Sequence, residues 1–252
     1  MIAIWVLARR EMIRFVRQPM RFVSSLAQPF FFWIFLGTGF SKVFVLDGAS
    51  MDYREFAYPG IILMLMLFSS IFSTITLIED RNMGFLQGVI VAPVSRASIV
   101  CGKLIGGTLI ALFQVLIFLL FIPMTGINLS LLNFIVLLCF CSLIGIGFTG
   151  MGFYVAWRSE TVASYHAIMS VVFIPMWLLS GALFPSTGVA TWLVWLMSVN
   201  PVTYAMRGLR TVFYSQPIDL LDDVSFMFSL LITFGWALFT VSMSMRSIHR
   251  NM

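Results

Sequence analysis

A polar, bendable passage interrupts two long apolar runs, 79-EDRNMGFLQGVIVAPVSRASIVCGK-103. It holds two acids, Glu79 and Asp80, three bases, Arg81, Arg96 and Lys103, glycines at 84 and 88, and Pro93. These residue types suit contact with a partner better than bond-making. The charges hydrate a loop, the glycines permit close approach or a bend, and the proline stops a helix. Glu79 and Asp80 are placed to open a helix at its positive end, with Arg96 and Lys103 farther along the loop and available to acidic partners. On these residues alone an ordinary hydrated connector stays open beside a docking element.

Other chemistry is sparse. His166 is the lone candidate for moving a proton within an apolar run, and a packed histidine reads the same way; His249 stands in a polar tail with no partner. Cys101, Cys139 and Cys141 show neither paired metal-ligand spacing nor an even count, so they read as small hydrophobes. The stretch 145-GIGFTGMG-152 spells G-x-G-x-x-G, yet no strand precedes it and no acid partner follows. Close helix packing through small residues explains it better, as it does Gly102 and Gly106. No G-x-x-x-x-G-K-[ST] occurs, so this chain has no P-loop of its own for ATP.

The elements around these residues are set by lipid. The chain has 252 residues, 60% hydrophobic and 10% charged, with a mean hydropathy of +1.01. A soluble domain is roughly a quarter charged; a single water-soluble core could not hide this much apolar surface. A net charge of +5 then orients the chain in a bilayer and does not signal nucleic acid. Apolar residues precede the first arginines, the reverse of a signal peptide's order.

A crossing helix needs about 20 apolar residues. Spans are expected between Arg21 and Lys42, from Pro59 to Ile78, twice between Lys103 and Arg158 with a turn at 123-PMTGINLS-130, from about Thr161 to Ser180, and from about Val224 to Met245. The stretch 186–199, between Pro185 and the Asn200-Pro201 breaker, makes a helix of only about 21 Å. That length and the Trp192/Trp195 pair favour a re-entrant or interfacial external hairpin over residues 181–210. The expected fold is therefore an all-α integral membrane protein, a single transmembrane domain over 1–252 with six spans. Of the 15 lysines and arginines only Lys42, Arg54, Arg207 and Arg210 fall on the far side, which puts both termini in the cytoplasm.

Residues 1–19 read as an amphipathic surface helix. Arg10, Arg14 and Arg17 share one face toward lipid headgroups, and Ile4, Trp5, Ala8, Met12, Phe15 and Val16 share the other, sunk in the acyl boundary. An anchor and a part in gating are equally compatible with that pattern. No acid or base falls at mid-bilayer, which weighs against an ion-coupled secondary transporter, and no convergent polar constellation points to an enzyme.

The order of motifs resembles the membrane subunits of type-2 ABC exporters. Glu79 closes the second span, then come Gly84 and Leu86, Pro93-Val94 and Arg96, and Gly102-Lys103 before the third span. A second match is 200-NPVTYAMRGLR-210, similar to the family's Asn-Pro-x-x-Tyr with trailing arginine. Gln87 departs from the pattern, standing where many relatives carry glutamate. The resemblance covers essentially the whole chain. It implies a multi-pass subunit of the bacterial inner membrane that pairs with itself and with two copies of an ABC ATPase. ATP and Mg would be bound by that partner and no cofactor by this chain. It implies that 79–93 is a cytoplasmic coupling helix in which Glu79, Asp80, Arg81, Gly84, Leu86, Gln87, Pro93 and Arg96 meet the ATPase. Trp192, Trp195, Tyr204, Arg207 and Arg210 would lie at the outer mouth, either meeting an amphipathic drug, lipid, glycolipid or polysaccharide or capping the pathway.

Overall fold

A computed structural model describes residues 2–40, 52–85, 88–89, 94–184, 189–216, 220 and 222–250. Nine helices and no strand occur among them: α1 (Ile2–Val16), α2 (Pro19–Phe40), α3 (Tyr53–Asn82), α4 (Arg96–Leu119), α5 (Leu131–Arg158), α6 (Val162–Leu178), α7 (Thr191–Val199), α8 (Pro201–Tyr214) and α9 (Val224–Arg250), with a 3₁₀ turn at Ile122–Met124. Five of them, α2, α3, α4, α5 and α9, are long and apolar enough to cross a membrane. The chain is a multi-pass membrane protein.

α3 is the axis. Its 30 residues are buried nearly throughout, and it packs on α2, α4, α5, α6 and α8. Large apolar side chains instead face outward on α2 (Phe31, Phe35) and α9 (Phe228, Leu231, Phe239), where the solvent is hydrocarbon. With no hydrophobic drive between helices in lipid, small residues let backbones approach. A Cβ on Gly147 would stand 2.5 Å from the Trp236 ring of α9, and one on Gly150 2.9 Å from Thr240 Oγ1. The 145–152 glycines are packing positions. Helix starts are capped as the sequence chemistry dictates: Ser95, Ser130 and Thr161 accept from the N–H three residues on, and Asn200 Oδ1 accepts from Val202 N–H with Pro201 at the first position.

Several boundaries differ from expectation. α3 begins six residues before Pro59. Proline removes the N–H that would bond the Glu55 carbonyl; the Tyr214 hydroxyl donates to that carbonyl at 2.7 Å and lets the helix continue. At its other end α3 runs to Asn82, so Glu79, Asp80 and Arg81 form its last turn and do not open a helix. The dipole argument there reverses sign, because a C-terminal turn favours cations. α4 starts at Arg96, which puts Lys103 two turns inside a helix and out of the loop. α6 has 17 residues, about 26 Å of helix, shorter than the expected span. Residues 191–214 form two helices that break at Asn200-Pro201, and α8 continues to Tyr214.

Candidate functional site: a buried charge network at the foot of the bundle

The first turns of α4 and the last turns of α3 meet α1. α1 can lie close because α4 presents Gly102 and Gly106 to it: a Cβ on Gly102 would stand 2.7 Å from Leu7 Cβ, and one on Gly106 3.0 Å from Glu11 Cβ. Ala8, Glu11 and Phe15 are thereby buried. The face expected to enter the acyl boundary is in part packed on protein.

Six charged side chains converge there. Lys103 Nζ donates to Glu11 Oε1 at 2.7 Å, to Asp80 Oδ2 at 2.7 Å and to Thr76 Oγ1 at 3.0 Å, using all three of its N–H groups. Arg10 grips Asp80 in bidentate fashion at 2.9 and 2.8 Å. Arg14 donates to Asp80 Oδ1 at 3.0 Å and to Glu79 Oε2 at 2.6 Å. Asp80 is 0% exposed, Glu11 3% and Lys103 6%. Three cations balance three anions, the condition under which charges stay out of water. The hydrogen-bonded Asp80 carboxylate raises the Arg10 guanidinium above its already high ordinary value.

Arg10 also stacks over the Phe85 ring, 3.7 Å to the centroid. Phe85 follows Gly84, whose φ of +74° turns the chain out of α3; a residue with a side chain is strained in that conformation. Phe85, Gly88 and Val89 are helical. Arg81 turns inward, donating to the carbonyls of Trp157 (3.1 Å) and Ser159 on α5's end. The network is thus fastened to the beginning of the 83–95 connection, and Lys103 fastens it to α4, into which that connection leads.

Two groups of sequence candidates therefore form one structure, because Arg10 and Arg14 face Glu79 and Asp80 and are not free for headgroups. Arg17 stays exposed, and Arg96 is half-buried at the start of α4. Leu86, Gln87 and Pro93 lie outside the described residues, as does Lys42. Lys103 and Asp80 are closed off from any acidic or basic partner. Glu11, Thr76 and Lys103 were missed as a set. The available signal was opposite charges at matching depth, at the base of two consecutive antiparallel helices. At the other end of the bundle Trp192 and Trp195 are exposed. Tyr204 donates to the Ser198 carbonyl (2.8 Å) beneath the Arg207 guanidinium. Arg210 lies over Phe56 at 4.1 Å and donates to the Gly181 carbonyl at 2.7 Å. His166 is exposed on α6, its ring edge to Phe72. No cluster of three or more metal-type ligands occurs among the described residues.

Residues 2–214 match the sequence profile of the ABC-2 type transporter family. Ycf38 of Cyanophora paradoxa, named as a transport permease, is 31% identical over 213 residues, 83% of this chain and 73% of that protein. ABC transporter G family member 20 of Dictyostelium discoideum is 23% identical over 208 residues, 81% of this chain and 28% of that protein. YbhR of Escherichia coli (strain K12), named as a multidrug ABC transporter permease, is 26% identical over 162 residues, 62% of this chain and 42% of that protein. A profile match over most of the chain, a relative at this identity and an all-helical bundle with several spans agree, and the chain belongs to the ABC-2 type transporter family.

Proposed function

We propose that this chain is the membrane subunit of an ATP-driven exporter, a six-span permease with both termini cytoplasmic in a bacterial inner membrane. It works as a homodimer with two copies of a separate ABC ATPase that holds the ATP and Mg. The pathway lies between the two permeases, and the cargo is amphipathic. The segment after Gly84 is the coupling element. The observation carrying this reading is the charge network. A segment that receives force from an ATPase must be rigidly joined to the spans it moves, and 83–95 leaves α3 and enters α4 at helices that Asp80, Lys103 and Arg10 bind to α1 and to each other. Family membership and the relatives' names support the ATPase partnership and the permease role. The hairpin α7–α8, too short in either arm to cross, and the α6 helix as a sixth span complete the topology.

The test is reconstitution of the permease with its ATPase in vesicles. Gly84→Trp forces a side chain into a left-handed position with nothing within 4 Å of its Cβ, so it perturbs the connection without crowding the bundle. Glu79→Lys loses one pair with Arg14 at a partly exposed site, worth about 0–1 kcal/mol. It gains a cation at a helix C-terminus, worth about 0.3–1 kcal/mol. Because the Glu79 side chain is 35% exposed, unlike the buried members of the network, water screens the added positive charge beside Arg14, so the bundle stays folded. Both variants are expected to reach the membrane at normal levels, with export and substrate-stimulated hydrolysis falling together. Normal export by both, with the ATPase bound, would refute the coupling assignment.

A further inference from the structure

α1 and the residue that follows it carry bases that the charge network does not use. Arg9 and Arg17 are exposed, and neither pairs with a carboxylate among the described residues. With Val6, Ile13, Gln18 and the network's own Arg10 and Arg14 they line an open trough of about 680 Å³. A second hollow starts one helical turn along the chain from the trough's Gln18. The Gln18 carbonyl accepts from Phe22 N–H at 3.0 Å, and Phe22 is the first residue of a groove of about 270 Å³ between α2 and α4, lined also by Leu26, Ala27, Phe30, Ile117 and Phe118. Every side chain in this groove is apolar. The trough lies on a helix outside the spans; the groove lies on a helix long and apolar enough to cross.

Cation above and hydrocarbon below, joined through one hydrogen-bonded turn, match an amphiphile with an anionic head. A free anion would leave the groove unfilled, and a neutral lipid would leave two guanidinium groups without a counter-charge. The geometry points to a binding site for one anionic phospholipid, its headgroup phosphate between Arg9 and Arg17 and one acyl chain in the α2/α4 groove. The bound lipid bridges the α1–α2 junction at Gln18, whose side chain also accepts from Arg21 at 3.2 Å. α1 is thus held to the bilayer at one end and to the charge network along its inner face. This site rests on α2 crossing the bilayer and not on coupling to an ATPase, so it stands or falls separately from the proposed exporter role.

The experiment is native mass spectrometry of the purified subunit in detergent. It is titrated with phosphatidylglycerol or with phosphatidylcholine of the same acyl chains. Phosphatidylglycerol is expected to be retained preferentially. Arg9→Gln with Arg17→Gln, both at exposed positions that leave packing intact, should lower its retention about fivefold per charge and about thirtyfold together, to the level of phosphatidylcholine. Ala27→Trp, which fills the groove, should lower retention of both lipids, with monodispersity by gel filtration as the folding check. Excess inorganic phosphate should not displace the lipid. Equal retention of the two lipids by the unsubstituted chain, undiminished retention in either variant, or displacement by inorganic phosphate would overturn the site.

Discussion

Replacing Lys103 by methionine removes one charge from a place where six must balance. Asp80 tolerates the loss: it keeps two bonds from Arg10 (2.9 and 2.8 Å) and one from Arg14 (3.0 Å). Glu11 does not. It is left with the Thr76 hydroxyl at 2.9 Å and a long contact to Arg10 Nη1 at 3.3 Å, at a site only 3% exposed. Stranding a buried ion by removing its partner costs about 3–5 kcal/mol. For a chain of this size that lowers the melting temperature by roughly 6–20 °C, at about 2–4 °C per kcal/mol. Adding Glu11→Gln should recover most of the loss. The amide still accepts from Thr76, and Arg10 and Arg14 then balance Glu79 and Asp80. The assay is unfolding in detergent, followed by tryptophan fluorescence with heat or by a titration with dodecyl sulfate. A Lys103→Met variant within about 1 kcal/mol of the parent, or a double variant no more stable than the single one, would refute the balance argument.

Three further outcomes follow from the packing. Gly106→Leu drives a side chain into Glu11 and Ala8; it should cost about 1–3 kcal/mol and expose the arginines of α1 to limited trypsin digestion. Tyr214→Phe leaves the Glu55 carbonyl without a donor, at about 1–3 kcal/mol, and Pro59→Ala in that background should restore stability by returning the missing N–H; no rescue would mean the hydroxyl is not the substitute. In a chain freed of native cysteines, cysteines at 50, 186 and 198 should react with an impermeant reagent from outside while one at 82 is spared; labelling of 186 and 198 from opposite faces would mean seven spans.

The apolar runs and turn residues announced the long helices because lipid imposes length and composition on a crossing segment, and glycine clusters announced close packing because few other residues permit it. The expected ends were wrong where a distant side chain decides. Nothing near Pro59 in sequence says that Tyr214 will supply its missing hydrogen bond, so the proline looked like a start. Lys103 looked like loop because a lone lysine beside a glycine reads as solvated; its burial depends on Glu11, 92 residues away, arriving across Gly106. The same pairing hid the fate of Arg10 and Arg14. A helical wheel gives the face of an arginine, not the carboxylate that meets it. At the outer end, Asn200-Pro201 was legible as a break because its chemistry is local: the side chain caps α8 and the ring fits its first turn.

The brevity of α6 has a consequence for the surrounding bilayer. In the six-span arrangement its roughly 26 Å must cross a hydrocarbon layer of about 30 Å while its outer face, including Ile168, Val171 and Ile174, meets whatever lies beside it. The long α3 is screened by its neighbours and exerts no such demand. Where lipid borders α6, acyl chains must compress or tilt, at fractions of a kcal/mol per ångström of mismatch. In that arrangement the subunit would have one shallow side. It would dimple the leaflet there, draw shorter-chain lipids to that sector, and be accommodated at lower cost in thin membranes than in thick ones.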